Sequence, residues 1–317
     1  MKLSYYSFFL FFVIISCHSE KKDINSKLIS KELKSSKLFA GKILRIDSFP
    51  TKYITPRPID IWLPKNYSDS KKYAVLYMHD GQMLFDSTTT WNKQEWKIDE
   101  VATNLIQQNI TKDFIVVGIH NISEIRWLDL FPEKSLKYLN DKEINQLESL
   151  SNKKVSINDF KGDEYLQFLV KDLKPYIDTT FSVYPDKENT FVAGSSMGGL
   201  MSMYAISEYP EIFEGAACIS THWPGAKPQK NNILSKSILK YVEDNIPDSK
   251  NHKIYFDYGD KTLDKHYPKF SSTIDSLYFL KGYNSSNFKN IFFPGENHSE
   301  KSWQKRIHIP LTFLLKK

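Results

Sequence analysis

The chain is predicted to fold as one α/β domain, with a mostly parallel sheet, antiparallel strands at its start and helices on both faces. Three observations predict it. Continuous apolar runs, Tyr73-Ala74-Val75-Leu76-Tyr77-Met78 and Phe114–Ile119 among them, have the composition of strands buried on both faces. Segments with helical spacing alternate with such runs, the order expected of parallel strands joined by crossover helices. Lastly, Gly194-Ser195-Ser196-Met197-Gly198 joins an apolar run directly to a helical segment, the strand-turn-helix context in which a G-x-S-x-G serine is presented as a nucleophile.

With 317 residues, 41% hydrophobic and 25% charged, the chain is long enough to bury a sizeable core. Its start is different. Lys2 supplies a positive n-region, and Phe8–Ile15 is an apolar run too short to span a bilayer, so residues 1–16 read as a signal peptide. Ile14-Ile15-Ser16-Cys17 resembles a bacterial lipobox. That resemblance implies cleavage before Cys17, lipidation of Cys17, and a membrane-anchored lipoprotein facing the periplasm or the cell surface.

The only other cysteine, Cys218, lies in an apolar run, so neither a disulfide nor a C-x-x-C metal site is expected. Residues 17–37 are lysine-rich, lack a sustained apolar period and read as a polar tether. The net charge of +6 is modest. It suits an anionic membrane surface or a solvated linker, and it does not indicate nucleic-acid binding. The folded domain is expected over residues 38–317, as a monomer.

Lys42–Ile46 and Arg57–Pro64 alternate apolar and polar residues, the period of half-exposed antiparallel strands. Between the two buried runs, Ile98, Val101, Ala102, Leu105 and Ile106 mark a helical face. The alternation then repeats. A helix over about Glu164–Ile177 precedes the strand before Ser196 and its helix, and the strand Gly215–Ile219 leads to a helix over Ile233–Val242. The strand Lys253–Tyr258 leads to a helix over Phe270–Leu280, and Phe288–Phe293 to a final helix ending near Leu315. Residues 133–160 break the pattern, being polar with helical spacing only at Leu136, Leu139, Ile144, Leu147 and Leu150. They would emerge at the carboxyl edge of the sheet, where ligands bind, as a lid or as a disordered insertion.

A serine nucleophile needs a base and a group that orients the base. Of eight histidines, His298 lies on a loop between the last apolar strand and the final helix, the place for such a base. His18 and His252 sit in polar context, and His308 lies inside the apolar pattern of the last helix. The acid is open between Asp260 and Asp264, in the loop after Ile254-Tyr255-Phe256. Asp257 belongs to the strand itself, and Glu296 is nearly adjacent to the histidine it would orient. Oxyanion N–H donors are expected from Met197, directly after the serine, and from Gln82, in the turn His79-Asp80-Gly81-Gln82 after an early strand. Trp91, Trp96, Arg126, His222 and Trp223 fall on loops that should reach the same rim, where aromatics could stack on a ring and Arg126 hold a carboxylate.

Several of these motifs, in order, carry a family resemblance: Met78-His79-Asp80-Gly81-Gln82-Met83-Leu84-Phe85-Asp86, the elbow at Ser196, Ser220-Thr221-His222-Trp223, Asp257-Tyr258-Gly259 and Pro294-Gly295-Glu296-Asn297-His298. From about Ile43 to Leu315 the chain resembles the esterase D-like family of α/β-hydrolases. That family includes enterobactin-type siderophore esterases and family 1 carbohydrate esterases such as feruloyl esterases. The resemblance implies an α/β-hydrolase fold, Ser196 as nucleophile, His298 as base, Met197 and Gln82 as oxyanion donors, and an acid in the loop after Gly259. Many relatives carry the acid three residues after that glycine, where this chain has Thr262. Thr262-Leu263-Asp264 is similar to a form in related sequences, which favours Asp264 over Asp260. The expected activity is hydrolysis of carboxylic esters, of a glycan or of a small molecule, with no metal or organic cofactor. Candidate substrates are acyl or feruloyl decorations on polysaccharide, siderophore lactones and short-chain esters. Acyl transfer by the same triad, or a binding lipoprotein on a retired hydrolase scaffold, are the alternatives.

Overall fold

A computed structural model describes residue 28 and residues 30–150, 155–229 and 232–317. The expected signal peptide and Cys17 lie outside the described residues.

Among the described residues, nine strands form one sheet in the order β1-β2-β3-β5-β4-β6-β7-β8-β9. They are β1 (Lys31–Glu32), β2 (Lys42–Phe49), β3 (Arg57–Leu63), β4 (Ala74–His79), β5 (Phe114–Ile119), β6 (Thr190–Ser195), β7 (Gly215–Ile219), β8 (Lys253–Tyr258) and β9 (Phe288–Phe292). The pairings β1/β2, β2/β3 and β3/β5 are antiparallel. All pairings from β5 through β4 to β9 are parallel.

The helices are α1 (Ile98–Gln107), α2 (Arg126–Asp129), α3 (Asp141–Leu150), α4 (Gly162–Gln167), α5 (Lys174–Thr180), α6 (Met197–Glu208), α7 (Ile233–Asn245), α8 (Pro268–Leu280), α9 (Glu300–Arg306) and α10 (His308–Leu315). Alternation along β4 divides the core. Val75 and Tyr77 face a layer containing Leu166, Leu200 and Ile238, while Ala74, Leu76 and Met78 face Ala102 and Leu311. Both sides of the sheet are therefore covered, which explains why its central strands read as unbroken apolar runs. Helix α6, buried from Met197 to Ile206, is apolar all round for the same reason.

Four details depart from the sequence expectation. Lys31–Glu32, within the span expected to be a tether, already pairs with β2. Both residues of that edge strand are exposed, so no apolar alternation marks it. The helix expected over Glu164–Ile177 is α4 and α5 joined by a π-helical turn over Phe168–Leu173. Pro175 has no N–H to offer the carbonyl four residues earlier, and the winding loosens just before it. Pro310 likewise cannot bond back to Arg306, and the final helix divides into α9 and α10. His308 consequently stands exposed at the start of α10 rather than inside an apolar face. Residues 133–150 are an ordered excursion, a 3-10 turn (Glu133–Tyr138) followed by α3. Leu136, Leu139 and Leu147 bury into the core, and the Tyr138 hydroxyl donates to Asp244 of α7 at 2.7 Å.

Candidate active site

The loops that follow β4, β6, β7, β8 and β9 meet at the carboxyl edge of the parallel strands. The loop after β6 is a single residue. Ser196 has φ 57° and ψ −119°, between the last residue of β6 and the first of α6. A non-glycine residue holds this strained geometry only where its surroundings fix it. Here its N–H donates to the Ile219 carbonyl at 3.0 Å, and its own carbonyl accepts from Leu200 and His222 at 3.1 and 3.2 Å. The turn closes so tightly that a Cβ on Gly194 would lie 2.7 Å from the Gly198 carbonyl carbon.

His298 follows β9. Its Nδ1–H donates to Asp264 Oδ1 at 2.6 Å, and its backbone N–H donates to Thr262 Oγ1 at 2.9 Å. The imidazole is held edge-on against Trp303 and Tyr267. Asp264 has no solvent exposure, and its Oδ2 accepts from Ser220 Oγ and the Gly259 N–H, each at 2.7 Å. Burial pushes its pKa up. The hydrogen bond and charge of His298, with those from Ser220 and Gly259, more than offset this and hold the carboxyl below its ordinary value.

Asp260, the other candidate acid, faces away. Its Oδ1 accepts the Gly295 N–H at 2.9 Å. Glu296 pairs with Lys305 at 2.8 Å. Asp264 is thus the carboxylate that touches His298.

Beneath this pair lies a network that no short stretch of sequence announces. Ser220 Oγ donates to Asp264 and accepts from Trp303 Nε1 at 3.0 Å and Arg306 Nη2 at 2.9 Å, using the full capacity of a hydroxyl. Arg306 also forms a buried ion pair with Asp257 at 2.9 Å, and Asp257 Oδ1 accepts the Ser220 N–H at 3.0 Å. Charge and orientation behind Asp264 are therefore fixed. The signal in sequence is only the run Ser220-Thr221-His222-Trp223; the partners of Ser220 lie 37 to 86 residues away.

Met197 N–H, the first of α6, has no acceptor within its helix. Gln82 lies in a short 3-10 turn, Gly81–Met83, after β4. The two loops touch, since a Cβ on Gly198 would lie 3.1 Å from His79 Cβ and 3.3 Å from Asp80 Oδ2. The expected pair of oxyanion donors therefore belongs to adjoining loops.

Ser196 lines two cavities. One, of ≈ 650 Å³, is mostly apolar, with Trp127, Leu147, Met197, Ile233 and Leu234 in its wall. The other, of ≈ 580 Å³, is the more polar of the two and holds His298 with Gln82, Trp91, Asn92, Arg126 and Glu300. Trp91 stands 84% exposed at its rim, whereas Trp96 is only 1% exposed and packs on Trp303.

One expected contact is corrected, and two others reach the cavities with polar atoms already engaged. Trp223 lines neither cavity and packs on Phe256 in the core, because its loop turns inward after His222. His222 borders the apolar cavity, but its Nε2–H donates to the Ala226 carbonyl at 2.9 Å and its Nδ1 accepts from the Tyr267 hydroxyl at 2.8 Å. Burial, then the nearby His298 charge, lower its pKa to about 4, so it is a neutral wall. Arg126 reaches the polar cavity with its Nε and Nη2 already committed to Asp80, both at 2.7 Å. Among the described residues, no group of three or more His, Cys, Asp or Glu side chains is placed to hold a metal.

The family described as "Putative esterase" matches this chain over residues 53–309. The chain belongs to that esterase family. Two curated relatives are each 26% identical to it: over 171 residues, the uncharacterized protein YbbA of Bacillus subtilis, and over 188 residues, an endo-1,4-beta-xylanase/feruloyl esterase of Xylanibacter ruminicola. The matched regions take in 53% and 58% of this chain, but only 58% and 21% of the relatives' own lengths. A solved ferulic acid esterase structure has the same fold, with a TM-score of 0.62 and 18% identity, over 87% of this chain and 98% of that one. This esterase-family chain is accordingly an α/β-hydrolase in architecture.

Proposed function

We propose that this chain hydrolyses carboxylic esters through an acyl-Ser196 intermediate. The observation that carries the reading is the convergence, in one cavity, of a strained serine at a strand-to-helix turn and a histidine whose far nitrogen is held by a fully buried aspartate. Because Nδ1 carries its proton toward Asp264, Nε2 is the basic nitrogen of His298. It takes the Ser196 hydroxyl proton as Oγ attacks the ester carbonyl. The negative charge that develops on the carbonyl oxygen is met by the N–H groups of Met197 and Gln82. His298 then passes the proton to the departing alcohol, and a water molecule, deprotonated by the same imidazole, releases the acid and restores the serine.

The two cavities flanking Ser196 suggest how an ester lies. An apolar or aromatic acyl group suits the Trp127, Leu147 and Ile233 side, and a polar alcohol suits the side of Trp91, Asn92 and Arg126. Feruloyl or other acyl esters of a glycan fit this division, as do short acyl esters. The X. ruminicola relative, whose name includes feruloyl esterase, supports the same class. Turnover of nitrophenyl esters of graded acyl length by wild type and Ser196→Ala tests the activity. Hydrolysis by wild type alone is expected, and equal hydrolysis by both would remove the basis of the reading.

We propose further, from the apolar run Phe8–Ile15 and the lipobox-like Ile14–Cys17, that the protein is exported and lipid-anchored at Cys17. No described helix is long and apolar enough to cross a membrane. Replacement of Cys17 by alanine should move the protein out of the membrane fraction; unchanged fractionation would count against the anchor.

A further inference from the structure

The turn that carries Gln82 is clamped more heavily than a surface turn requires. Asp80 sits in the left-handed region, φ 60° and ψ 42°. Asparagine and aspartate tolerate that geometry better than most residues, but it still needs support. Its carboxylate takes two parallel bonds from Arg126, Nε to Oδ1 and Nη2 to Oδ2, both 2.7 Å, and a third from Asn121 Nδ2 at 2.6 Å. Asn121 also holds the far side of the turn, its backbone N–H donating to Gln82 Oε1 at 3.1 Å. Between these two clamps, Gly81 lies so close to β5 that a Cβ there would be 2.5 Å from the Gly118 carbonyl carbon. The turn has no freedom to slide along the sheet.

We infer that Arg126 is a positioning residue: through Asp80 it latches the turn that aims the Gln82 N–H at the reacting carbonyl oxygen. The inference rests on the oxyanion role proposed for Gln82. A planar guanidinium meeting both oxygens of a carboxylate fixes orientation as well as distance, which a point charge does not. Asp80 is buried. Without Arg126 its carboxylate would keep only the Asn121 amide, and the turn would move toward water to solvate it. The Gln82 N–H would shift with it. Loss of an oxyanion donor costs about 10²–10³ in kcat, so a displaced donor should cost about 10- to 100-fold. Ground-state binding of a neutral ester does not use this donor strongly, so the loss should fall on kcat and spare KM.

The test is steady-state kinetics on 4-nitrophenyl butyrate, a neutral ester, with wild type, Arg126→Gln, Arg126→Lys, Asp80→Asn and the double variant Asp80→Asn/Arg126→Gln. Arg126→Gln should lower kcat about 10- to 100-fold with KM within about threefold, and Arg126→Lys should recover part of the loss. Asp80→Asn should lower kcat similarly, and the double variant should be little worse than either single, because both break one latch. A rise in KM at unchanged kcat in Arg126→Gln would overturn the inference and assign Arg126 to substrate contact. So would an Asp80→Asn enzyme with full kcat, or fully additive losses. If Arg126→Gln does not fold, Asp80→Asn, which keeps the shape of the side chain, decides alone. Wild type inert on all nitrophenyl esters would overturn the esterase reading and this inference together, whereas an active wild type with unaffected variants would overturn only the latch.

Discussion

Replacing Asp264 by asparagine should disable the base without disturbing its position. The two carboxylate oxygens receive three donors: the Nδ1–H of His298, the hydroxyl of Ser220 and the N–H of Gly259. Asparagine has one oxygen and one NH2 group. The Gly259 N–H is fixed backbone, and the Ser220 hydroxyl is oriented by Trp303 and Arg306, so the amide oxygen must stay with them. The NH2 then faces His298 Nδ1, which can only accept from it. The ring proton moves to Nε2, the nitrogen that has to receive the proton of Ser196. An inverted tautomer of this kind costs about 10⁴ in kcat, or about 5.5 kcal/mol on the barrier at 1.36 kcal/mol per tenfold. Asp260→Asn keeps an oxygen for the Gly295 N–H and should change kcat by less than about twofold. Initial rates on a nitrophenyl ester, with circular dichroism to establish folding, compare the two. A folded Asp264→Asn that keeps more than about a tenth of wild-type kcat, or an Asp260→Asn that loses as much as Asp264→Asn, would refute the assignment of Asp264.

Three further outcomes follow from the geometry. Ser220→Ala leaves the Trp303 and Arg306 donors without their acceptor and removes one bond to Asp264, so urea unfolding should show a loss of about 2–4 kcal/mol together with lower kcat. Leu147→Trp puts a bulky indole into the wall of the ≈ 650 Å³ cavity and should lower the octanoyl-to-acetyl ratio of kcat/KM about tenfold; an unchanged ratio would remove that cavity from acyl binding. Asp99 is fully buried, with one oxygen on the Phe39 N–H; burial, then Glu100, raise its pKa from 3.8 to about 7. A folded-state pKa above the unfolded value means stability is full below about pH 4 and declines as pH rises toward 7. Asp99→Asn removes that decline, so its Tm should gain on wild type by about 5 °C between pH 5 and pH 8 in thermal melts.

The fold was legible because its signals are local. A strand buried on both faces shows as an apolar run, and the crossover helices show as periodic faces between such runs. Ser196 and His298 stand out in the sequence for a similar reason, each following a strand whose flanking residues define the turn. What could not be read depends on side-chain direction across a loop. Asp260 and Asp264 lie four residues apart, and only the path of the chain through Thr262, at φ 50°, turns Asp264 toward the imidazole and Asp260 toward Gly295. The same limit applies to Trp223. Its loop position favoured the rim, but the chain turns it onto Phe256. The Ser220, Arg306 and Asp257 network, and the Arg126 grip on Asp80, join residues from separate strands and helices, so no local pattern encodes them. Lys31–Glu32 is silent in the sequence for a different reason. A two-residue edge strand buries nothing and leaves no apolar trace.

The central claim is that the Ser196 oxygen becomes acylated. Intact-mass spectrometry after mixing with a fluorophosphonate, followed by peptide mapping, tests it most directly. One adduct per chain on the peptide containing Ser196, absent from Ser196→Ala and much slower in Asp264→Asn, is the expected result. Labelling at another residue, or equal labelling of Ser196→Ala, would contradict it.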